Sequence, residues 1–351
     1  MQNFLSSLTV IELASVLAGP AVGQFFAELG AKVIKIENAR TQGDVTRSWK
    51  LPTEDSASEE SAYYRAVNWG KSTQLLDLRK SKDQTIVHEL VKEADVVISN
   101  FSPAAGRKLA MDGPTLRALN PQLIFARLDA FSPESRRPAY DIVLQAETGF
   151  LSMNGTAAGQ LCRMPVALID ILAAHQLKEG ILLALLRRAT SQKGATVTAS
   201  LYHSALASLA NQATNYLIAD QIAQPMGCQH PNIAPYGDIF ELADGARIVL
   251  AIGSDQQFSA LCDLLGLPQV ERFQDNQLRV QNRSALIDYL QLGLAKRQYE
   301  ELAAAAEAAR IPIGRIRNMA EVFALAAAQS QLLHYPNGDR AVKTVSFQLE
   351  D

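Results

Sequence analysis

The feature that most constrains this chain is a strand–helix–strand pattern at its start, which then repeats. Leu8–Leu13 is a short apolar run with strand character. Gly19-Pro20 opens a helical pattern over Ala21–Leu29, with Phe25, Phe26 and Leu29 on one face, and Gly30 ends it. Lys32–Ile36 alternates as a second strand. A helix between two strands carries the chain back, so the strands can pair in parallel. Further on, Leu75–Leu78, Asp95–Ser99 and Leu123–Arg127 read as strands, with helical patterns at Asp83–Glu93 and Pro114–Leu119. This alternation predicts an α/β fold, a doubly wound parallel sheet with helices on its faces. The first unit lacks the Gly-x-Gly-x-x-Gly fingerprint, so a dinucleotide reading is weak.

From Asp141 onward helical patterns dominate. Val166–Arg188 and Leu201–Ile222 read as long helices, with a β-rich stretch at Ala195–Ser200 between them. Residues 223–234 are rich in Pro, Gly, Gln and Asn and read as a linker. Two strand signals follow, Gly237–Leu242 and Arg247–Ile252, joined by the turn Ala243-Asp244-Gly245. Helical patterns then cover Asp255–Leu264, Ser284–Leu294 and Tyr299–Ala309, which together predict a small α+β domain. Ile311–Arg317 and Met319–Leu325 read as a return strand and helix. The expected division is a large domain over 1–222 and 312–351, with linker and small domain over 223–311.

A length of 351 residues suits two domains. Hydrophobic content of 48% and charged content of 20% fit a globular protein with a sizeable core. The net charge of −3 gives no electrostatic reason to expect nucleic acid or an anionic membrane as partner. Cys162, Cys228 and Cys262 are odd in number and far apart, which argues against a disulfide framework and predicts three buried thiols. The histidines show no zinc-ligand spacing, so no metal is expected. Met1 opens no signal-peptide pattern, and the alanine-rich stretches carry charges too often to span a bilayer. A cytoplasmic setting is expected.

One residue stands out chemically. In the run from Met164 to His175, Asp170 is the only ionisable side chain before the final histidine. An isolated carboxylate is costly to desolvate. Pro165 can open a helix, and the positive end of the helix dipole would then partly compensate Asp170. Such a carboxylate can serve as a nucleophile. It can equally be a plain helix cap, and the residues alone leave both readings open.

Taken in order, several segments carry a resemblance. AGPAVGQFFAELGAKVIKIE (Ala18–Glu37), GDVTR (Gly43–Arg47), NWGKSTQLLDL (Asn68–Leu78), ADVVISNFSP (Ala94–Pro103), AYDIVLQAETGFLSMNG (Ala139–Gly155), HPNIAPYGDIFELADG (His230–Gly245) and IPIGRIRNMAEVF (Ile311–Phe323) succeed one another. Their order and spacing resemble the family III CoA-transferases, which include formyl-CoA transferase, carnitine CoA-transferase and α-methylacyl-CoA racemase. The resemblance implies an interlocked homodimer. It implies that Asp170 is the catalytic nucleophile, which carries CoA between carboxylic acids as an aspartyl-CoA thioester. It implies that acyl-CoA and an acceptor acid are the partners, that the large domain binds CoA, and that Lys71, Asn100, Lys108 and Arg137 contact CoA, with Arg47 and Arg107 as further candidates. Gln145 orients the acyl group or caps a helix, and Tyr140 borders the site or packs on the sheet edge.

The chain also departs from the family pattern. Leu17 stands where formyl-CoA transferases have glutamine, and no glycine-rich loop follows Gln224; both disfavour formate and oxalate. Tyr140 replaces the histidine of the racemase branch. Ala174 replaces a common glycine, and the loop Ala130–Asp141 is altered. The chain ends at Asp351, early for the family, as in the racemase branch. A racemase or isomerase of a branched acyl-CoA is therefore the alternative, and a CoA-binding protein without turnover the second.

Overall fold

In a computed structural model, residues 4–132, 134–135 and 137–350 are described. The chain forms two compact units. The larger comprises residues 1–151, 163–222 and 330–351; the smaller comprises 152–162 and 223–329.

The larger unit is built on six strands: β1 (Thr9–Leu13), β2 (Lys32–Asn38), β3 (Ser72–Leu76), β4 (Val96–Ser99), β5 (Ile124–Asp129) and β6 (Ala195–Ser200). All pair in parallel, in the order β3-β2-β1-β4-β5-β6. The winding reverses between β1 and β4, the switch point where doubly wound sheets open a crevice at their carboxyl ends. Along β1 the side chains divide by parity. Val10 packs with Val22 and Phe26 of the helix α1 (Ala18–Glu28), whereas Ile11 and Leu13 join Val87 and Val91 of α2 (Ser81–Lys92) on the other face. Burial on both faces explains why these strands are apolar runs rather than half-polar ones.

Four further helices line the switch-point side or flank it: α3 (Pro103–Lys108), α4 (Gly113–Leu119), α5 (Asp141–Glu147) and α6 (Leu168–Ser191). Gly180 lets α6 lie close to the sheet, because a Cβ there would stand 2.5 Å from Val197 Cγ1. The predicted long helix over Leu201–Ile222 is two helices, α7 (Leu201–Ala207) and α8 (Ala210–Ala219). Ser204 and Ser208 hydroxyls donate back to the Ser200 and Ser204 carbonyls at 2.7 and 2.8 Å, a local alternative that weakens helix continuity.

The smaller unit holds an antiparallel sheet of β7 (Tyr236–Glu241), β8 (Arg247–Ala251) and β9 (Ile313–Arg315). Helices α9 (Asp255–Leu265), α10 (Arg283–Leu294) and α11 (Tyr299–Ala308) complete its core with Phe240, Ile248 and Phe258. The turn before β8 uses Gly245 at φ +75°, a left-handed conformation that glycine adopts freely. Two boundaries differ from the sequence reading. Ile313–Arg315 does not return to the parallel sheet; it pairs with β8, so the chain rejoins the larger unit only at Ser330. Residues 152–162 also belong to the smaller unit, tied by Gly227 N donating to Gly155 O at 2.9 Å.

After Ser330 a hairpin of β10 (Leu332–His334) and β11 (Arg340–Val342) closes on the larger unit. Trp69 Nε1 donates to the His334 carbonyl and Tyr335 donates to the Arg65 carbonyl, at 3.1 and 2.7 Å. Glu28 of α1 then receives the backbone N–H groups of Thr344 and Val345. Of the three cysteines only Cys262 is buried; Cys162 and Cys228 lie exposed in irregular segments that bury little.

Candidate active site

Asp170 is the third residue of α6. Pro165 lies outside that helix, which begins at Leu168 behind Ala167, a residue with no side chain able to cap. The cap comes from another helix. Asp141, the first residue of α5, accepts the backbone N–H groups of Ile169 and Asp170 through Oδ1, at 2.7 and 3.2 Å. Its second oxygen accepts from the Gln145 side-chain amide. Gln145 Oε1 in turn accepts from Met164 N at 2.9 Å. One short helix therefore grips both the segment entering α6 and its first turn, and borrowed capping of this kind satisfies the free donors of a helix start.

The Asp170 side chain is 8% exposed, and among the described residues nothing donates a hydrogen bond to its carboxylate. Burial pushes its pKa up, aided by the negative charge of Asp141, to about 7. Two effects compete here. The dipole of α6 favours the anion, but loss of solvation outweighs it. An anion held without donors keeps its basicity and its nucleophilicity.

Asp170 opens on two cavities. One, of about 960 Å³, is bounded by one face of α6, an aromatic wall of Trp49, Tyr63 and Tyr140, and the segment Val342–Thr344. The other, of about 530 Å³, is lined by Ser15–Ala18, Asn100, Leu128 and Tyr140. Val16, Leu17, Tyr140 and Asp170 are common to both. A third cleft, of about 380 Å³, lies beyond the carboxyl ends of β1, β2 and β3 and shares Ser15 with the second. The sheet's switch-point crevice thus leads by adjoining cavities to the carboxylate.

A buried charge cluster shapes the loop that all three cavities share. Lys35 Nζ lies 2.8 Å from Glu12 and 3.1 Å from Asp44, and Lys71 Nζ lies 2.8 Å from Glu12. Asp44 also accepts the N–H of Val16 at 3.1 Å. Val16 has φ +74°, a left-handed conformation that a β-branched residue rarely adopts. Such strain persists only where surroundings impose it, and here it turns the loop toward Asp170.

The residues expected to contact CoA separate into groups. Lys71 is not at the cleft. Its ammonium is enclosed, bonded to Glu12, the Pro20 carbonyl and Asn68, and no surface remains for a phosphate. Burial pushes it down to about 7 against the pull of Glu12. Arg47 is held by Glu37 and Tyr64, at 2.7 and 2.6 Å. Asn100 lines the second cavity and donates to the Ser15 carbonyl at 3.0 Å. Arg107 and Lys108 are exposed in the last turn of α3, next to Leu109 of the third cleft. Arg137 is exposed, 2.5 Å from Glu147 and stacked over Phe131 at 4.4 Å. Its neighbours Pro133 and Arg136 in the altered loop lie outside the described residues. Gln145 is buried and holds Asp141 rather than lining a cavity. Tyr140 lines both cavities at Asp170.

Sequence reading missed Asp141, Lys178, Arg40 and Arg79. Arg40 and Arg79 line the third cleft just beyond β2 and β3, and position after a parallel strand was the signal available for them. Among the described residues no group of three or more His, Cys, Asp or Glu could hold a metal ion, and no helix is long and apolar enough to cross a membrane.

A parallel six-stranded sheet joined to a small antiparallel one is the architecture of a CaiB/BaiF family protein from Brucella suis, whose crystal structure matches with a TM-score of 0.84 and 35% identity, covering 98% of this chain and 92% of that one. The chain belongs to CoA-transferase family III, whose family model matches residues 5–349. It is 38% identical to the succinate–glutarate CoA-transferase of Agrobacterium fabrum, over 91% of this chain and 82% of that protein. It is 32% identical to the acetyl-CoA:oxalate CoA-transferase of Acetobacter aceti, over 93% and 84% respectively.

Proposed function

We propose that this enzyme moves CoA between two carboxylic acids through an aspartyl-CoA thioester on Asp170. The observation that carries the reading is a buried carboxylate, without hydrogen-bond donors, at the junction of two cavities. In the first step an Asp170 oxygen attacks the thioester carbonyl of the donor. The C–S bond breaks, CoA leaves as thiolate, and a mixed anhydride of Asp170 and the donor acid remains. The thiolate then attacks the aspartyl carbonyl and releases the donor acid. The acceptor carboxylate attacks the aspartyl-CoA, expels thiolate and forms a second anhydride. Thiolate attack on the acceptor carbonyl yields the new acyl-CoA and restores Asp170. No net water or proton is consumed, so the thioester energy is retained. The aromatic wall and Leu17 keep the anhydrides from water.

The cleft beyond β1–β3 suits the nucleotide end of CoA. It offers Phe101 as an apolar surface, Arg40 and Arg79 on its lining, and Arg107 and Lys108 near its rim for phosphates. Asn100 and Ser15 then border the path of the pantetheine arm to Asp170. The first backbone N–H groups of α1, beside Leu17 and Ala18, supply positive potential for the oxyanion. Leu17 favours an acyl group with hydrocarbon character over a small oxo acid, although oxalate is named for one relative.

The homodimer is supported by surface chemistry. Leu183 and Leu186 of α6, Leu217 and Ile218 of α8, and Ile222 are all exposed, apolar side chains that a partner subunit would cover. The chain leaves the larger unit after Ile222 and rejoins it at Ser330, which supports an interlocked form. Two exposed thiols suit a reducing, cytoplasmic setting.

The test is trapping. Incubation with butyryl-CoA or succinyl-CoA, then borohydride, should leave a reduced Asp170 that peptide mass spectrometry locates. Hydroxylamine should release CoA as the free thiol and leave Asp170 as its hydroxamate. Exchange of the substrate α-hydrogen with deuterated solvent, without any adduct, would establish the racemase instead. CoA binding with neither adduct nor exchange would establish the binding protein.

A further inference from the structure

One face of α6 walls the larger cavity. Asp170, Ile171, Ala174, His175 and Lys178 recur there at i, i+1, i+4, i+5 and i+8, the spacing of a single helical face. Asp170 is at one end. Lys178 is at the other, about 12 Å further along the axis. Lys178 is 6% exposed, and its ammonium rests 4.9 Å from the centre of the Phe25 ring. Among the described residues it has no hydrogen-bond acceptor and no carboxylate within ion-pair distance. Glu28 and Glu179 favour its charge electrostatically, Glu28 more strongly, but the Glu28 oxygens already accept from Gln24, Thr344 and Val345.

A buried ammonium on a residue that walls a largely apolar cavity is costly unless an anion joins it. Burial accordingly pushes its pKa down. Two other cations line the same cavity, and both are engaged. Arg163 is exposed and donates to the Met164 and Pro165 carbonyls, at 3.1 and 3.2 Å. Lys343 donates to the Ser330 carbonyl at 2.6 Å. Lys178 alone among the three is buried without an acceptor.

Helical side chains slant toward the N-terminus, so Lys178 leans back toward Asp170. Ala174 stands between them and leaves room for methylene groups. We propose that Lys178 binds the distal carboxylate of a dicarboxylic acid whose other carboxyl group reacts at Asp170. Lys178 is then a specificity residue that selects acids with a second, distal carboxyl group over monocarboxylic acids of the same length. This inference rests on the transferase reading above.

The experiment compares glutarate with pentanoate, two acids of equal length that differ in the distal carboxylate. With butyryl-CoA as donor, the ratio of kcat/KM for glutarate over pentanoate should fall at least about 30-fold in Lys178→Met, as loss of a buried charge partner implies. Lys178→Arg should recover part of that ratio. A merely structural role would lower both acids alike and leave the ratio unchanged, which overturns the inference. Loss of selectivity in Arg163→Met, with Lys178→Met unaffected, overturns it too.

A second arm needs no turnover. Calorimetry on Asp170→Asn should show glutarate binding at least about 30-fold more tightly than on the double variant Asp170→Asn/Lys178→Met. Equal binding overturns the inference. If no acid is turned over by the unaltered protein but this difference holds, the transferase reading fails while the Lys178 site stands.

Discussion

The carboxylate of Asp141 accepts the backbone N–H of Asp170 at 3.2 Å while its charge raises the pKa of the Asp170 side chain. One residue thus fixes the position of the proposed nucleophile and tunes its proton affinity. Either role alone would be an ordinary cap or an ordinary charge pair.

Asp141→Asn should separate the two. Asparagine keeps an oxygen for the N–H groups of Ile169 and Asp170 but removes the charge. The acid limb of the kcat/KM profile should move to lower pH, by less than the whole elevation because burial is its first cause. Asp141→Ala should in addition cost about 1 kcal/mol of stability, as loss of a cap does. Steady-state rates between pH 5 and 9 and denaturant titration are the measurements.

Transfer activity should rise with pH through a single ionisation near 7, because in the proposed reaction the form of Asp170 that attacks is the anion. A profile flat from pH 5 to 8 would show that the carboxylate is ionised throughout.

Stability should run the opposite way. The folded-state pKa of Asp170, about 7, lies above the ordinary carboxylate value, so the folded chain holds this proton more tightly than the unfolded chain does. The stability gained from that proton is full below about pH 4 and is lost as pH rises through 7. Asp170→Asn removes the penalty. It should therefore be more stable than the parent at pH 8, by about 2–4 kcal/mol, and the gap should close toward pH 4. Thermal unfolding of both proteins across that range tests the sign.

Lys71 and Lys108 should behave differently despite equal charge. Lys71→Met leaves Glu12 with one fewer partner in a dry interior and should cost about 3 kcal/mol or more of stability. Lys108→Met, at an exposed helix end, should change stability by no more than about 0.5 kcal/mol and weaken CoA binding in a salt-dependent way. Denaturation and CoA calorimetry on each variant separate a framework lysine from a phosphate contact.

Much of the fold was legible because burial on both sheet faces writes itself as apolar runs. β1, β2, β4 and β5 begin or end within two residues of the expected bounds. The apolar pattern puts β3 three residues late, because β3 is an exposed edge where polar Ser72–Gln74 pair without an apolar signature. Ile313–Arg315 looked like a return to the large sheet because a short strand carries no label of its partner.

By itself the sequence determined the α/β class, the family, and one carboxylate isolated in an apolar run. Those depend on periodicity and on local contrast, both of which a chain displays in one dimension. Tertiary structure alone decided what surrounds that carboxylate. Asp141 lies 29 positions before Asp170 and becomes its cap only when α5 meets α6. Lys71 reads in sequence as a surface cation, and only β1 and α1 close over it with Glu12; Lys178 has no mark in the sequence, and only the packing of α6 against α1 places it over Phe25. The meaning of a charge depends on its dielectric surroundings and its partners, and long-range packing sets both.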